Sequence, residues 1–284
     1  MMVDHCVLPT ATLGAARERL EALGFTVAPD ARHPFGTANC CVFFEDGSYL
    51  EPLAVADRAA AQAAADADNT FVLRDRLFRL HSGEEGFSAL VLRTQDAAAD
   101  QARFVEQGIS AGPPLSFSRP MVDRDGVRGE ASFRLAFAAP DSPACFFFTC
   151  ERVAMPATGA RLSQGHDNGA LGIAKVLAVA GERQDDAAFL ARLFAGAGDV
   201  QDWALGDAVF SLLAPREARR LYGIETGGEK RLRLAGIVFR VRETAVLLQR
   251  LAVAKIAHTV HEGSIVVPPA PGQGAHFIFE EPAA

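Results

Sequence analysis

Two side chains that could do chemistry, the imidazole of His5 and the carboxylate of Glu51, lie among apolar neighbours near the start of the chain. His5 belongs to the predicted strand Val3–Leu8, and Glu51 belongs to the predicted strand Tyr49–Leu53. Both groups bind divalent cations, and both transfer protons. They are therefore candidate metal ligands and candidate catalytic groups. The alternative is a His–Glu hydrogen-bonded pair without an ion, since a buried carboxylate needs a polar partner.

The residues between these two predict the elements that must position them. Ala11–Leu23 has apolar residues at helical spacing. Phe25–Ala28 and Asn39–Phe44 predict two short strands. An Asp-Gly pair at 46–47 predicts the hairpin that leads into the last strand. The segment is thus a β-α-β-β-β unit with one candidate residue at each end.

The same unit recurs along the chain. Residues 5–25 align without a gap to residues 89–109, and further copies begin at Gly172 and Leu232. One such unit leaves a sheet face uncovered, which two facing sheets would bury around a cavity. The sequence therefore predicts an α+β fold in which four βαβββ modules pair into two domains.

The predicted domains are residues 1–155 and residues 166–284, joined by a linker at 156–165 where Pro and Gly occur. Residues 54–80 are rich in Ala, with Leu residues at helical spacing, and predict one or two helices that connect the first two modules.

Composition excludes several classes of function. The chain has 284 residues, of which 49% are hydrophobic, and a net charge of −7 without a Lys/Arg run, so we expect a globular protein that does not bind nucleic acid. Neither a bilayer-spanning run nor a signal peptide is visible, so no membrane association is expected. The five cysteines lack Cys-x-x-Cys spacing, which favours reduced thiols and a cytoplasmic location.

Several short motifs resemble one superfamily. They are Asp4-His5-Cys6-Val7, Leu23-Gly24-Phe25, Arg32-His33-Pro34, Gly36-Thr37-Ala38-Asn39 and Tyr49-Leu50-Glu51. Together they are similar to the vicinal oxygen chelate superfamily, and within it to the glyoxalase-like domain proteins. The resemblance implies two domains of the glyoxalase and extradiol-dioxygenase type, with His5 and Glu51 on neighbouring strands around one divalent cation (Zn, Ni, Mn or Fe). It also leaves a homodimer open, because this superfamily builds some sites across dimers.

The other modules depart from the metal-binding pattern. Ala89, Lys175 and Gly236 stand where the first module has His5. The second domain therefore looks devoid of metal ligands, and the His-His-Glu iron site of an extradiol dioxygenase is not matched. A third ligand would have to come from elsewhere. The candidates are His33, His166, Glu280 and Glu281.

Four further residues are candidates for substrate binding. The resemblance favours His33, and the Thr37 hydroxyl and the Asn39 amide could orient a polar ligand. Arg119 in the second module could bind a carboxylate through two hydrogen bonds. The alternatives are a tight turn that uses its own polar groups, and an arginine on the surface.

Two hypotheses of function follow, each with a small-molecule ligand. The first is an isomerase or lyase of the glyoxalase type that binds an oxygenated or carboxylated molecule. In it, His5 and Glu51 hold a cation, or Glu51 is a base whose pKa burial has raised. The second is a metal-free protein that sequesters a small compound in a cavity lined by Phe35, Phe43 and Phe147.

Overall fold

The computed structural model describes residues 1–122, 128–154, 165–181, 183–196, 201–226 and 230–282. The elements of the first half are β1 (Met2–Pro9), α1 (Leu13–Ala22), β2 (Ala31–Arg32), β3 (Thr37–Asn39), β4 (Val42–Phe43), β5 (Tyr49–Val55), α2 (Arg58–Asp66), α3 (Thr70–Ser82), β6 (Ala89–Thr94), α4 (Ala97–Glu106), β7 (Leu115–Val122), β8 (Arg128–Ala138) and β9 (Phe146–Ala154). Those of the second half are β10 (Ala170–Val179), α5 (Arg183–Leu193), β11 (Asp202–Leu205), β12 (Ala208–Leu213), α6 (Pro215–Tyr222), β13 (Arg233–Val241), α7 (Thr244–Val253), β14 (Thr259–His261), β15 (Ser264–Val267) and β16 (His276–Glu280).

The strands of the first half form one continuous sheet. In each module the first strand pairs in parallel with the last, β1 with β5 and β6 with β9. Antiparallel pairing of β1 with β6 then joins the two modules side by side. The expectation of two separate facing sheets is therefore wrong for this pair. The single sheet is curved instead. Its curvature is seen from β3 and β7, which lie near its two edges and whose side chains line the same cavity.

The second sheet repeats this arrangement with fewer strands. β10 pairs in parallel with β12, β13 pairs in parallel with β16, and β10 and β13 are antiparallel neighbours. The α+β fold of four related modules in two sheets is therefore as predicted. The third module differs, since its described residues contain two strands after helix α5 and then the unpredicted helix α6.

Helix α6 fills the face of the second sheet that corresponds to the cavity face of the first. Ala218, Tyr222 and the following Ile224 pack with Leu177 and Val179 of β10 in one apolar cluster. Proline at the start of α6 and Gly223 at its end, with a φ of 65°, set the limits of the helix. Apolar packing thus occupies the space that is a cavity in the first sheet.

A larger core lies on the other faces of the two sheets. Alternation along the strands sends Cys6 and Leu8 of β1 and Phe147 of β9 to this core, where they join Phe210 and Phe239 of the second sheet. The two sheets therefore share apolar packing, which α1, α4, α5 and α7 help to enclose.

The connection between the first two modules is a pair of helices, α2 and α3, as predicted. Phe71, Val72 and Phe78 of α3 are buried, whereas Leu77 and Leu80, which helped to predict the helix, face outward. The predicted strand at 25–28 is absent, and the predicted strand at 39–44 is interrupted. The predicted linker lies outside the described residues except for its last residue, so the domain limits stay a prediction. None of the helices in the described ranges is long and apolar enough to cross a bilayer.

Candidate functional site

A narrow cavity lies on the concave face of the first sheet. The volume open to the centre of a water-sized sphere is about 40 Å³, which is room for roughly three water molecules. Its polar lining comes from His5, His33, Asn39, Glu51 and Arg119. The sequence had picked out all five, and the fold brings them together although they span more than a hundred positions.

His5 and Glu51 meet because β1 and β5 are parallel neighbours. In their register His5 lies opposite Tyr49, and Val7 lies opposite Glu51. The Nε2 atom of His5 lies 3.2 Å from Oε2 of Glu51, and both side chains are almost fully buried. The Tyr49 ring stacks on the His5 ring with 4.3 Å between centroids. The His5 and Glu51 side chains are therefore close enough either to share a metal ion or to form an ion-free hydrogen-bonded pair.

Asp4 is a third member of this cluster that the sequence did not reveal. Its side chain has no exposed surface, and His5 donates from Nδ1 to Asp4 Oδ1 over 2.8 Å. Adjacent strand residues normally point to opposite faces, but a bulge between Val3 and His5 breaks the alternation here. The guanidinium groups of Arg93 and Arg152 also donate to the Asp4 carboxylate.

These contacts set the charge states of the three groups. Burial by itself would raise the pKa of Asp4, but hydrogen bonds and charges of His5 and Arg152 outweigh it and hold that pKa well below its usual range. Burial likewise opposes the charged form of His5, but Asp4 and Glu51 raise its pKa. The pKa of Glu51 falls to about 2 because its contacts with His5 outweigh its burial. The expectation that burial raises the pKa of Glu51 is therefore wrong.

His33 faces the same carboxylate from the other side. It lies in a tight turn whose left-handed residue is Gly36, with a φ of 87°. Its Nδ1 is 2.8 Å from Thr37 Oγ1, and its Nε2 is 3.6 Å from Glu51 Oε1. The amide of Asn39 donates to that same Oε1 over 2.6 Å. Burial lowers the pKa of His33 to about 4, so the ring is neutral at physiological pH.

Arg119 lines the cavity from β7. Its guanidinium carbon lies 5.9 Å from the centre of the Phe133 ring. Its Nε–H is buried, and within the part of the chain that the structure describes it has no hydrogen-bond partner. A buried donor without a partner is costly, so this atom is suited to an oxygen atom of a ligand.

The second module has lost the corresponding pair. By the gapless alignment, Ala89 takes the place of His5, and strand register then puts Phe148 in the place of Glu51. Phe148 meets the His5 ring edge-on at 5.7 Å between centroids. The two positions of the second module that would have supplied the remaining ligands of a shared metal site therefore carry apolar side chains.

The other candidate ligands lie away from the cavity. His166 accepts a hydrogen bond from the Thr26 amide at Nδ1 and packs on Phe25 in the shared core. Glu280 accepts from Ser264, and Glu281 accepts from Thr244 at the start of α7. None of these three residues is placed to act as a third metal ligand beside His5 and Glu51.

The donors at this site do not fit a divalent cation in the arrangement they have. No group of three or more His, Cys, Asp or Glu side chains among the described residues is placed to hold a metal ion. Glu51 already uses both of its oxygens, one with His5 and one with Asn39. Both alternatives, a cation at His5 and Glu51 and an ion-free pair, therefore stay predictions, and the chemistry proposed below does not pass through a cation.

The apolar lining differs in part from the expected one. Phe35 lines the cavity, together with Phe117 and Phe148. Phe147 belongs to the shared core on the opposite face of the sheet. Phe147 was expected in the cavity because the sequence does not give the strand register. Phe43, which was also expected there, is not among the residues that line the cavity.

The fold and this pair of neighbouring strands define a protein of the vicinal oxygen chelate type. The model of the glyoxalase-like domain family matches residues 3–194, and the chain belongs to that family. None of the curated proteins compared with the chain matches it in sequence.

Solved structures share the whole two-sheet arrangement. A hypothetical protein from Staphylococcus aureus superposes with a TM-score of 0.64 at 13% identity and covers 99% of both chains. A mutant of 4-hydroxymandelate synthase from Streptomyces coelicolor gives a TM-score of 0.61 at 12% identity and covers 98% of this chain and 91% of that one. At these identities the likeness shows the fold alone.

Proposed function

We propose that this chain is an enzyme of the isomerase or lyase type that binds a small carboxylated or oxygenated molecule in the first cavity. One observation carries the proposal. The neutral imidazole of His33 and the guanidinium of Arg119 line the same buried space as the Glu51 carboxylate, and the Arg119 Nε–H has no partner in the described part of the chain. Such a space offers an anchor for an oxygen anion and a group that can take up a proton.

Arg119 is the proposed anchor. A ligand carboxylate or carbonyl oxygen would accept from its Nε–H and satisfy a donor that has no partner among the residues the structure describes. The cavity limits the ligand to a few non-hydrogen atoms unless the surrounding phenylalanines move.

His33 is the proposed base, with Glu51 beside it. A proton on the carbon next to the ligand's carbonyl would pass to a ring nitrogen of His33, and the C–H electron pair would move toward the carbonyl oxygen. Returning the proton to the opposite face of that carbon gives the other stereoisomer, which is an isomerase reaction. Departure of a group from the next carbon with its bonding electrons, and its protonation by the His33 imidazolium, gives a lyase reaction. The Glu51 carboxylate would stabilise the imidazolium formed, and His5 would hold Glu51 in place.

Ligand binding would also tune the base. The positive charge of Arg119 is one of the causes that keep the pKa of His33 low, after burial itself. A bound anion would offset that charge and raise the pKa of His33 toward the value that a base at neutral pH requires. The anchor and the base would therefore act together.

Sequestration of a hydrophobic compound has less support. The cavity of about 40 Å³ is too small for most such compounds. An apolar guest would also offer no hydrogen-bond partner to the buried polar groups that line the cavity.

Hydrogen–deuterium exchange tests the proposal. The protein is incubated in D₂O with a panel of small 2-oxo and 2-hydroxy carboxylates, and proton NMR follows loss of the C–H signal. We expect exchange with at least one compound and its loss in His33→Gln. Saturable binding without exchange would favour a binding protein, and neither binding nor exchange across the panel would overturn the proposal.

A further inference from the structure

The buried carboxylate of Asp4 has contacts that go beyond neutralising its own charge. His5 Nδ1 donates to Asp4 Oδ1 over 2.8 Å, while Nε2 on the far side of the same ring lies 3.2 Å from Glu51 Oε2. Both acceptors are carboxylates, so the ring is held at both nitrogens. Asp4 lies outside the cavity lining, and its direct contact with a group that lines the cavity is the hydrogen bond from His5.

Two arginines of the second module hold Asp4 in turn. Nη2 of Arg152 on β9 donates to both carboxylate oxygens over 2.9 and 2.8 Å, and Nε of Arg93 on β6 donates to Oδ2 over 3.1 Å. The guanidinium of Arg152 also lies 5.8 Å from the centre of the Tyr49 ring, which stacks on His5. The second module, which has no His or Glu at the corresponding positions, thus contributes groups that fix the first module's histidine.

We propose that Asp4, fixed by Arg93 and Arg152, is a positioning residue that sets the rotation of the His5 ring. In this orientation Nε2 faces Glu51 Oε2, and Oε1 of Glu51 is left to face Asn39 and His33. The role rests on the proposed function, because it concerns the same site.

Charge balance alone would not require this arrangement. Two arginines already match the single charge of Asp4, so the carboxylate has no need of His5 as a partner. The last torsion of a histidine side chain is broad and roughly two-fold, so the ring has no strong preference of its own between two flipped orientations. A charge-assisted hydrogen bond at Nδ1 supplies that preference, by about tenfold or more in population.

NMR of the histidine ring protons tests this role without any ligand. An Nδ1–H held against a carboxylate gives a low-field resonance that exchanges slowly with water. We expect this resonance in the native protein, identified as His5 by its loss in His5→Asn. In Asp4→Asn its exchange should become about tenfold faster or more, whereas Arg152→Lys should retain it. Asp30→Asn, which removes an exposed carboxylate paired with Arg17, should leave it unchanged.

The outcomes separate the two proposals. A folded Asp4→Asn variant, checked by circular dichroism, that keeps the slow resonance overturns the positioning role. If Asp4→Asn does not fold, the native protein decides in its place, since a His5 Nδ1–H that resonates at low field and exchanges slowly supports the role, and one that exchanges as fast as an exposed histidine overturns it. A native protein that shows the resonance but neither binds nor exchanges any carboxylate overturns the proposed function alone.

Discussion

Phe148 lies in the second module where Glu51 lies in the first. Each residue is on the last strand of its module, two positions beyond the residue that pairs with the first strand at the aligned sites His5 and Ala89. Because a phenyl ring stands where the first module has a carboxylate, the cavity is one-sided. The imidazole and carboxylate groups lie on the first module's wall, and the Phe148 ring faces them from the second. The chemistry of the site must therefore come mostly from the first module, with Arg119 as the contribution of the second.

This one-sidedness leads to a prediction about metal content. We expect the purified chain to hold far less than one equivalent of Zn, Ni, Mn or Fe, because the donors around Glu51 bind one another and Phe148 occupies the place of a ligand on the facing wall. Elemental analysis and thermal melts with and without EDTA would measure this, and EDTA should leave Tm unchanged. One full equivalent that is lost in both His5→Ala and Glu51→Ala would instead support the metal-dependent hypothesis.

Arg119→Met should weaken binding of a small 2-oxo carboxylate such as pyruvate. The variant removes the buried Nε–H, which has no partner within the described ranges of the chain, and a charge-assisted hydrogen bond accounts for about tenfold to a hundredfold in affinity. Calorimetric titration of the native protein and the variant would measure the change. Arg134→Met is the matched control, since Arg134 is exposed on β8 and pairs with Glu151 at 3.4 Å. Equal weakening by both variants would remove the anchor role from Arg119.

The part of the site inside the first module could be predicted from the sequence. His33, Thr37, Asn39 and Glu51 lie within twenty positions of one another, so short-range turns and one hairpin bring them together. His5 joins them through a single pairing of β1 with β5, which the module pattern implies. The internal repeat also located all four modules, because strand and helix periodicities survive where individual residues have changed.

Two features that the sequence did not predict, the Asp4 contacts and helix α6, depend on geometry that is not local in the sequence. Asp4 meets Arg152 over a separation of 148 positions in the sequence, and only β6 lies between their two strands in the sheet. Strand alternation would have placed Asp4 on the face opposite His5. Only the bulge at the start of β1 changes that, and a bulge leaves no signal in this sequence. Helix α6 was missed because its eight residues include three arginines and bury just Ala218 and Tyr222, too few for an apolar period.

The stability of the protein should depend on pH through Glu51. Its pKa is lowered to about 2 in the folded protein, so the carboxylate stabilises the fold above its unfolded pKa of 4.5 and that stabilisation is lost as the pH falls toward 2. His5 acts in the opposite direction, since its raised pKa means that its contribution is lost as the pH rises through the folded value. Thermal melts should therefore show native protein and Glu51→Gln differing most near neutral pH and converging toward pH 2.

A control separates this effect from general acid sensitivity. Glu262→Gln removes an exposed carboxylate that pairs with Arg220 at 3.1 Å, and exposed pairs contribute little. Its melting curve should follow that of the native protein at every pH. A Glu51→Gln curve parallel to the native curve from pH 6 to pH 2 would show that Glu51 is not held in its charged form.

Gly36→Ala should destabilise the protein more than Gly83→Ala. Both glycines have positive φ values, 87° and 92°, so an alanine is strained at either. A Cβ at Gly36 would also lie 2.5 Å from backbone atoms of Asp57 and Ala61, whereas nothing lies within 4 Å at Gly83. Denaturant unfolding should show an extra loss of about 1–3 kcal/mol at Gly36, and carboxylate binding should weaken with it because the turn carries His33. Equal losses at the two glycines would mean that the start of α2 can move aside, and the turn would not then be fixed by this contact.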